Sequence, residues 1–235
     1  HQLHRRQRQM CIRDRTPATS EITKKMFEAY FDKSEAAVFT GDAEVGAAFS
    51  ALPFDHLLFT GGTQIGKKVM KAASENLVPV TLELGGKSPV IVDEDANLSE
   101  VAKKVMRGKT MNAGQICLAP DYLMLPKGKS KEFANASSEV IGEMFEDLKY
   151  NEDYTSVINE RHYERINELV ADAKEKGAEV LEINPADEDF EQQELHKIPP
   201  TLVLNPTDDM KIMQEEIFGP VSVSYTHLRA HETST

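Results

Sequence analysis

An α/β protein with parallel sheets is the fold class predicted by this 235-residue sequence. Two observations carry that expectation. Short apolar runs of strand length alternate with segments whose apolar residues recur at helical spacing, which is the rhythm of strand–helix–strand units. A glycine pair, Gly61-Gly62, stands where one such run hands over to a helical segment. The length allows one large domain or two small ones with an ample core.

Taken in order, Ile22, Met26, Phe27 and Tyr30 predict an amphipathic helix over residues 20–31. Ala36 to Phe39 reads as a strand stopped by Thr40-Gly41. Asp42 then caps a helix carrying Val45, Ala48, Phe49 and Leu52. Leu57 to Thr60 is a buried strand, followed by the glycine pair, a helix through about Ser74, and a further strand opened by Pro79. A boundary falls near Gly85-Gly86. Beyond it come a strand at 90–92, a helix at 98–108, a loop holding Cys117, a strand at 122–125 and a helix beginning at Ser130. A helix at 160–176 ends on Gly177. Strands follow at 179–183 and 201–204, with an acidic, turn-rich loop at 185–194 between them.

Composition excludes several classes. Apolar residues make up 40% of the chain, and no apolar run nears the roughly 20 residues of a membrane span. Cys11 and Cys117 are the only cysteines, so no disulfide framework is expected and a cytoplasmic, reducing setting is. The histidines show no metal-ligand spacing, and no metal site is expected. Net charge is −12, while residues 1–15 carry five arginines against Asp14, so the remainder is more acidic still. That argues against a nucleic-acid surface.

Cys117, in Asn112-Ala113-Gly114-Gln115-Ile116-Cys117, and Glu83, in Leu82-Glu83-Leu84-Gly85-Gly86-Lys87, are the candidate chemical pair. A thiolate attacks carbonyl carbon well, and a carboxylate can activate the water that releases an acyl group. A single interior cysteine is more often a small buried hydrophobe, and a strand-end glutamate is more often solvated. Strand alternation places Glu83 with Thr81, opposite Val80, Leu82 and Leu84. Its position about 20 residues beyond the glycine turn also suits a ribose contact, so two roles compete for it. Thr60, Gly61, Gly62 and Gly66 form a strand–turn–helix whose first helical amides suit a pyrophosphate, although their spacing departs from G-x-G-x-x-G.

Residues 82–89, 114–117 and 215–220 (Glu-Glu-Ile-Phe-Gly-Pro) resemble three signature segments of the aldehyde dehydrogenase superfamily, in that family's order. Residues 59–66 resemble its cofactor-binding turn. Ala119-Pro120-Asp121-Tyr122, Asp153-Tyr154-Thr155-Ser156 and Asn159-Glu160-Arg161-His162-Tyr163 are similar to the coniferyl-aldehyde dehydrogenase branch. The resemblance implies an aldehyde-dehydrogenase-like fold: a partial Rossmann-type cofactor domain over residues 16–84, then an incomplete α/β catalytic domain over 85–221. It implies oxidation of a small-molecule aldehyde to a carboxylic acid with NAD or NADP. Cys117 would be the nucleophile and Glu83 the general base. Thr60, Gly61, Gly62 and Gly66 would hold the dinucleotide, Glu216 the nicotinamide ribose, and Phe218 would pack beside the ring. The alternative is a dinucleotide-binding module without chemistry.

Residues 1–15 and 222–235 resemble translated sequencing adapters and are expected to be non-native ends with no core to join. The resemblance then covers an internal slice of a homo-oligomeric enzyme. The family's asparagine oxyanion donor and its adenine-ribose contacts would precede Thr16. The slice by itself is therefore expected to lack turnover.

Overall fold

The structure, a computed structural model, describes residues 8–13, 16–191 and 193–226. Its contacts divide the chain into two compact units, 1–85 and 86–235.

In the first unit, β1 (Arg8–Arg13) pairs in parallel with β2 (Ala36–Gly41), and β3 (Leu57–Gly61) pairs in parallel with β4 (Val80–Leu84). Helices α1 (Pro17–Tyr30), α2 (Ala43–Ser50) and α3 (Thr63–Ser74) connect them. Each of the first two begins for a local reason. Pro17 occupies the first turn of α1, where its missing N–H costs nothing. The Asp42 carboxylate caps α2 by accepting the N–H groups of Glu44 (2.9 Å) and Val45 (3.2 Å). The buried core is small: Leu57, Val69, Ala73 and Val78, with Phe49, Phe54, Phe59, Ile65 and Val80 packed against them.

Helix α1 departs from expectation. Ile22, Met26, Phe27 and Tyr30 were expected to form its buried face, yet Ile22, Met26 and Tyr30 are 59%, 57% and 81% exposed and Phe27 is half-buried. Periodicity is enough to specify a helix; burying its apolar stripe requires a second surface, and the described elements of this unit do not cover it.

The second unit is a five-stranded sheet in the order β5 (Pro89–Ile91), β6 (Tyr122–Leu125), β9 (Val221–Thr226), β8 (Thr201–Leu204), β7 (Glu179–Glu182). All pairings are parallel except β7 with β8. Helices α4 (Leu98–Thr110) and α5 (Ser130–Met144) supply one core, where Val105, Met106, Phe133 and Ile141 pack with Leu123, Leu125, Leu202 and Leu204. Helix α6 (Glu160–Glu175) and the short α7 (Lys211–Gln214) bring Ile166, Leu169, Ala173 and Ile212 into another, with Val203, Val221 and Val223. Alternate residues of β8 thus enter different cores, and the strand is buried along its whole length. Buried on both faces, it reads as a continuous apolar run, as parallel-sheet strands do.

Strand β9 corrects the reading of the C-terminal segment. Residues 222–235 were expected to join no core, but Ser222, Val223 and Ser224 are fully buried in the central strand of this sheet. Val-Ser-Val-Ser-Tyr-Thr alternates β-branched and small residues, and the serine hydroxyls find partners: Ser222 donates to the Pro120 carbonyl and Ser224 meets Ser130. At the other end, residues 8–13 form β1, also inside a segment expected to be foreign. The rest of both segments, 1–7, 14–15 and 227–235, lies outside the described residues. Amide exchange at Val223 is accordingly expected to be among the slowest in the protein. Exchange there at the rate of an open chain, measured by hydrogen–deuterium exchange, would place β9 outside the sheet.

Candidate active site

Strand β3 ends in Thr60-Gly61 and α3 begins at Thr63, with Gly62 as the residue before the helix. No side chain caps α3, and Gly62 has open space where a Cβ would stand. Amides of the first turn are therefore free of a competing side-chain acceptor, as a phosphate site requires. Gly66 matters for packing instead. A Cβ there would come 2.8 Å from Leu84 Cδ2, so its absence lets α3 lie close on β4. Glu83 is exposed with Thr81, while Val80, Leu82 and Leu84 on the opposite face are half-buried. The strand register sets Glu83 directly beside Thr60, so the acidic residue and the glycine turn share one end of this two-stranded sheet.

In the second unit, the nucleophile candidate follows a run of three left-handed residues: Asn112 and Ala113 (both φ 50°) and Gly114 (φ 69°). Such a run is costly for Ala113, and the surroundings compensate. The Asn112 carbonyl accepts the Gln115 N–H (3.0 Å) and Gln115 Nε2 (3.0 Å). Gln115 Nε2 also donates to the Ser156 carbonyl (3.0 Å), and its Oε1 accepts the Ile158 N–H (2.9 Å). Cys117 is exposed, on a turn closed by Ala119 N–H to the Ile116 carbonyl (2.9 Å), and its own carbonyl accepts from Ser88 Oγ (3.2 Å). Leu118 beside it is 80% exposed, and Met111 is exposed as well.

The segment 215–220 packs against this loop. A Cβ on Gly114 would collide with the Gly219 carbonyl, and one on Gly219 would strike Ile166 of α6. Both glycines are demanded by close approach of neighbouring atoms. Arg165 of α6 donates to the carbonyls of Glu216 (3.2 Å) and Ile217. The half-buried Glu216 carboxyl is pushed above the usual carboxylate range by burial, opposed by the Gly86 N–H it accepts. Phe218, half-buried, has φ 50°. Three of the segments singled out in the sequence therefore meet within one unit: Gly86-Lys87-Ser88, the Cys117 loop, and Glu216 to Gly219. Glu83 and the turn residues Thr60, Gly61, Gly62 and Gly66 lie together in the other unit.

Sequence reading missed the charged groups beneath this loop. Lys87, Asp121 and Arg165 were passed over, and so was Lys109, which is 2% exposed. Its place on α4 after Ala102, Val105 and Met106 was the available signal, because a lysine on the apolar stripe of a helix must be buried. Burial lowers its ammonium pKa from 10.5 to about 8; Asp121 opposes that shift, Lys87 adds to it and Glu216 opposes it.

The consequence has a definite sign. Between about pH 8 and 10.5 the unfolded chain holds a proton on Lys109 that the folded chain has released, so folding stability gains as pH rises through that window. The unfolding free energy of the wild type relative to Lys109→Met is expected to climb there by on the order of 3 kcal/mol. Urea denaturation at several pH values checks it. A difference that stays flat across the window would refute the buried, proton-shedding lysine.

Comparison with known proteins agrees with these segments. The pattern of the aldehyde dehydrogenase family matches residues 12–232. A probable coniferyl aldehyde dehydrogenase of Caulobacter vibrioides is 59% identical over 206 residues, covering 88% of this chain and 42% of that protein. A coniferyl aldehyde dehydrogenase of a Pseudomonas species is 51% identical, covering 88% and 43%. The chain thus spans less than half the length of these relatives. Among solved structures, Staphylococcus aureus AldH in a substrate-bound state superimposes with a TM-score of 0.82 at 36% identity, over 94% of this chain and 47% of that one. Betaine aldehyde dehydrogenase from the same organism, in complex with NAD+, gives 0.82 at 28% identity, over 95% and 46%. Among the described residues no group of three or more His, Cys, Asp or Glu side chains is placed to hold a metal ion, and no helix is long and apolar enough to cross a membrane. A family pattern that runs through both units and across every segment described above leaves one conclusion: the chain belongs to the aldehyde dehydrogenase family.

Proposed function

We propose that the protein carrying this chain oxidises an aldehyde to a carboxylic acid through a covalent intermediate on Cys117, with NAD or NADP as hydride acceptor. The observation that carries this reading is the exposed Cys117 on a turn held by backbone hydrogen bonds and packed against the Glu216–Gly219 segment. The aldehyde proposed is of the coniferyl type, because the relatives at 59% and 51% identity bear that name. The exposed Leu118 and Met111 suit an apolar substrate body. A reducing cytoplasm, where the thiol stays free, is the proposed setting.

In this mechanism the Cys117 thiolate adds to the carbonyl carbon, forming a C–S bond and an alkoxide. The Cys117 backbone N–H is one donor to that oxygen, a type of contact worth roughly 3 kcal/mol or more. The dinucleotide, when bound, supplies the acceptor for the hydride that leaves this carbon, and a thioester on Cys117 results. Glu83 takes a proton from water, the hydroxide adds to the thioester, and the C–S bond breaks to release acid and thiolate. Thr60, Gly61, Gly62 and Gly66 shape the turn whose amides would receive the pyrophosphate. Glu216 would bind the nicotinamide ribose and Phe218 would pack beside the ring. The fit of the turn residues is supported by the uncapped start of α3 and the open space at Gly62.

The test is turnover of coniferyl aldehyde by the full-length protein with NAD and with NADP, followed by reduced-cofactor absorbance. Dinucleotide binding without turnover of any aldehyde would favour the module without chemistry.

A further inference from the structure

Asp121 lies four residues after Cys117, immediately before β6, and is 2% exposed. A buried carboxylate must be paired or be neutralised, and this one is paired on both oxygens. Its Oδ2 accepts the Ile217 N–H at 2.8 Å, and its Oδ1 accepts from Lys87 Nζ. Lys87 Nζ donates in addition to the carbonyls of Ile212 (2.9 Å) and Glu215 (3.1 Å). The Asp121 main chain is also engaged: its N–H donates to the Ser88 carbonyl (3.0 Å) and its carbonyl accepts the Val223 N–H (3.1 Å). Asp121, through its carboxylate, its main chain and its Lys87 partner, therefore joins the strand that follows the nucleophile loop to residues 87–88 and 212–217.

Ion pairs of this kind are weak evidence for stability, because desolvation offsets most of their attraction. What the pair does supply is direction. The peptide between Glu216 and Ile217 is planar, and it is held from both sides: Asp121 takes its N–H, and Arg165 Nη1 donates to its carbonyl at 3.2 Å. Arg165 also donates to the next carbonyl, that of Ile217. The two peptide planes flanking Ile217 are thereby clamped. Glu216 precedes them and Phe218 follows.

We propose that Asp121, with Lys87, is a positioning residue: it sets the peptide planes that aim Glu216 and Phe218 at the nicotinamide end of the dinucleotide. This rests on the function proposed above for those two residues. Asp121 touches neither substrate nor cofactor in this arrangement. The Cys117 turn is anchored by the Gln115 side chain and the Ser88 hydroxyl, neither of which the Asp121 carboxylate contacts, so the clamp acts on cofactor binding and not on the thiol.

The test is Asp121→Asn in the full-length protein. An amide can accept from one of the two donors, but it must turn its own NH2 toward the other. A hydrogen bond to a charged group is worth enough that its loss changes affinity roughly 10- to 100-fold. The KM for NAD (or NADP, whichever is used) is therefore expected to rise about tenfold or more, with the rate of Cys117 alkylation by iodoacetamide unchanged. Lys87→Met is expected to raise the same KM, and the two substitutions together should do less than the product of their separate effects. Should Asp121→Asn fail to fold, Lys87→Met carries the test. A merely structural role would lower the active fraction and leave that KM where it was, and this result would overturn the proposal. Exchange of the Ile217 amide gives a readout that needs no turnover: slow in the wild type and faster in Asp121→Asn. Unchanged exchange overturns the clamp. A wild type that oxidises no aldehyde overturns the proposed function instead, and the Ile217 amide still decides whether the clamp exists.

Discussion

Cys117→Ala is expected to abolish aldehyde oxidation in the full-length protein while dinucleotide binding persists. The thiolate is needed for the covalent step alone, so removing one sulfur atom deletes the route to the thioester without touching the cofactor turn. Loss of a covalent nucleophile costs on the order of 10,000-fold or more in turnover. Cys117 is exposed and its turn is closed by main-chain hydrogen bonds, none of which uses the sulfur. Alanine should therefore leave the fold intact, within about 0.5 kcal/mol in denaturant unfolding, as for an exposed side chain without special partners. Steady-state rates and equilibrium titration with the dinucleotide check both halves. Appreciable turnover in the mutant would remove Cys117 from the nucleophile's place.

Glu83→Gln separates the two roles open to that residue. As general base, its loss should leave acylation working: reduced cofactor appears as a burst near one equivalent per active site. Steady turnover then falls roughly 100- to 10,000-fold, the usual cost of losing a positioned base. As a ribose ligand, its loss should weaken cofactor affinity, give no burst and leave acyl release at its normal rate. The register that sets Glu83 beside Thr60, at the same sheet end as the glycine turn, is what a ribose contact would need. Membership of the aldehyde dehydrogenase family, with Glu83 in a segment that resembles the family's base motif, favours the base. Rapid alkylation of Cys117 in the mutant would show that its thiolate still forms, so a missing burst could be read as lost cofactor binding.

Most helices and strands were legible because their causes are local. Asp42, Asn97 and Asn159 each accept an amide of the first turn from the position just before a helix, and α4 and α6 carry apolar stripes that the cores of the second unit use. Strand β9 was not legible for a different reason. Val-Ser-Val-Ser has the right alternation, but the resemblance of the tail to adapter sequence took it out of the fold reading. Only its pairing between β6 and β8 shows that it is central. Helix α1 fails in the opposite sense, since its periodicity is real and Ile22, Met26 and Tyr30 are nevertheless exposed.

The sequence by itself determined what single residues and short spacings can carry. These are the alternation of strand and helix, the reactive types at Cys117 and Glu83, the glycines at strand–helix turns, and the ordered segments that place the chain in its family. Tertiary structure decided which of these meet. Gly114 and Gly219 are about a hundred positions apart, and each must lack a side chain because another part of the chain approaches at that point. Lys87 and Asp121 are likewise far from Ile217 in sequence, and joined they form one buried clamp. The physical reason is that burial and pairing belong to two surfaces at once. A lysine at position 109 or an aspartate at 121 shows its charge in the sequence. Whether that charge is solvated or buried, and against what partner, is set only when distant segments pack.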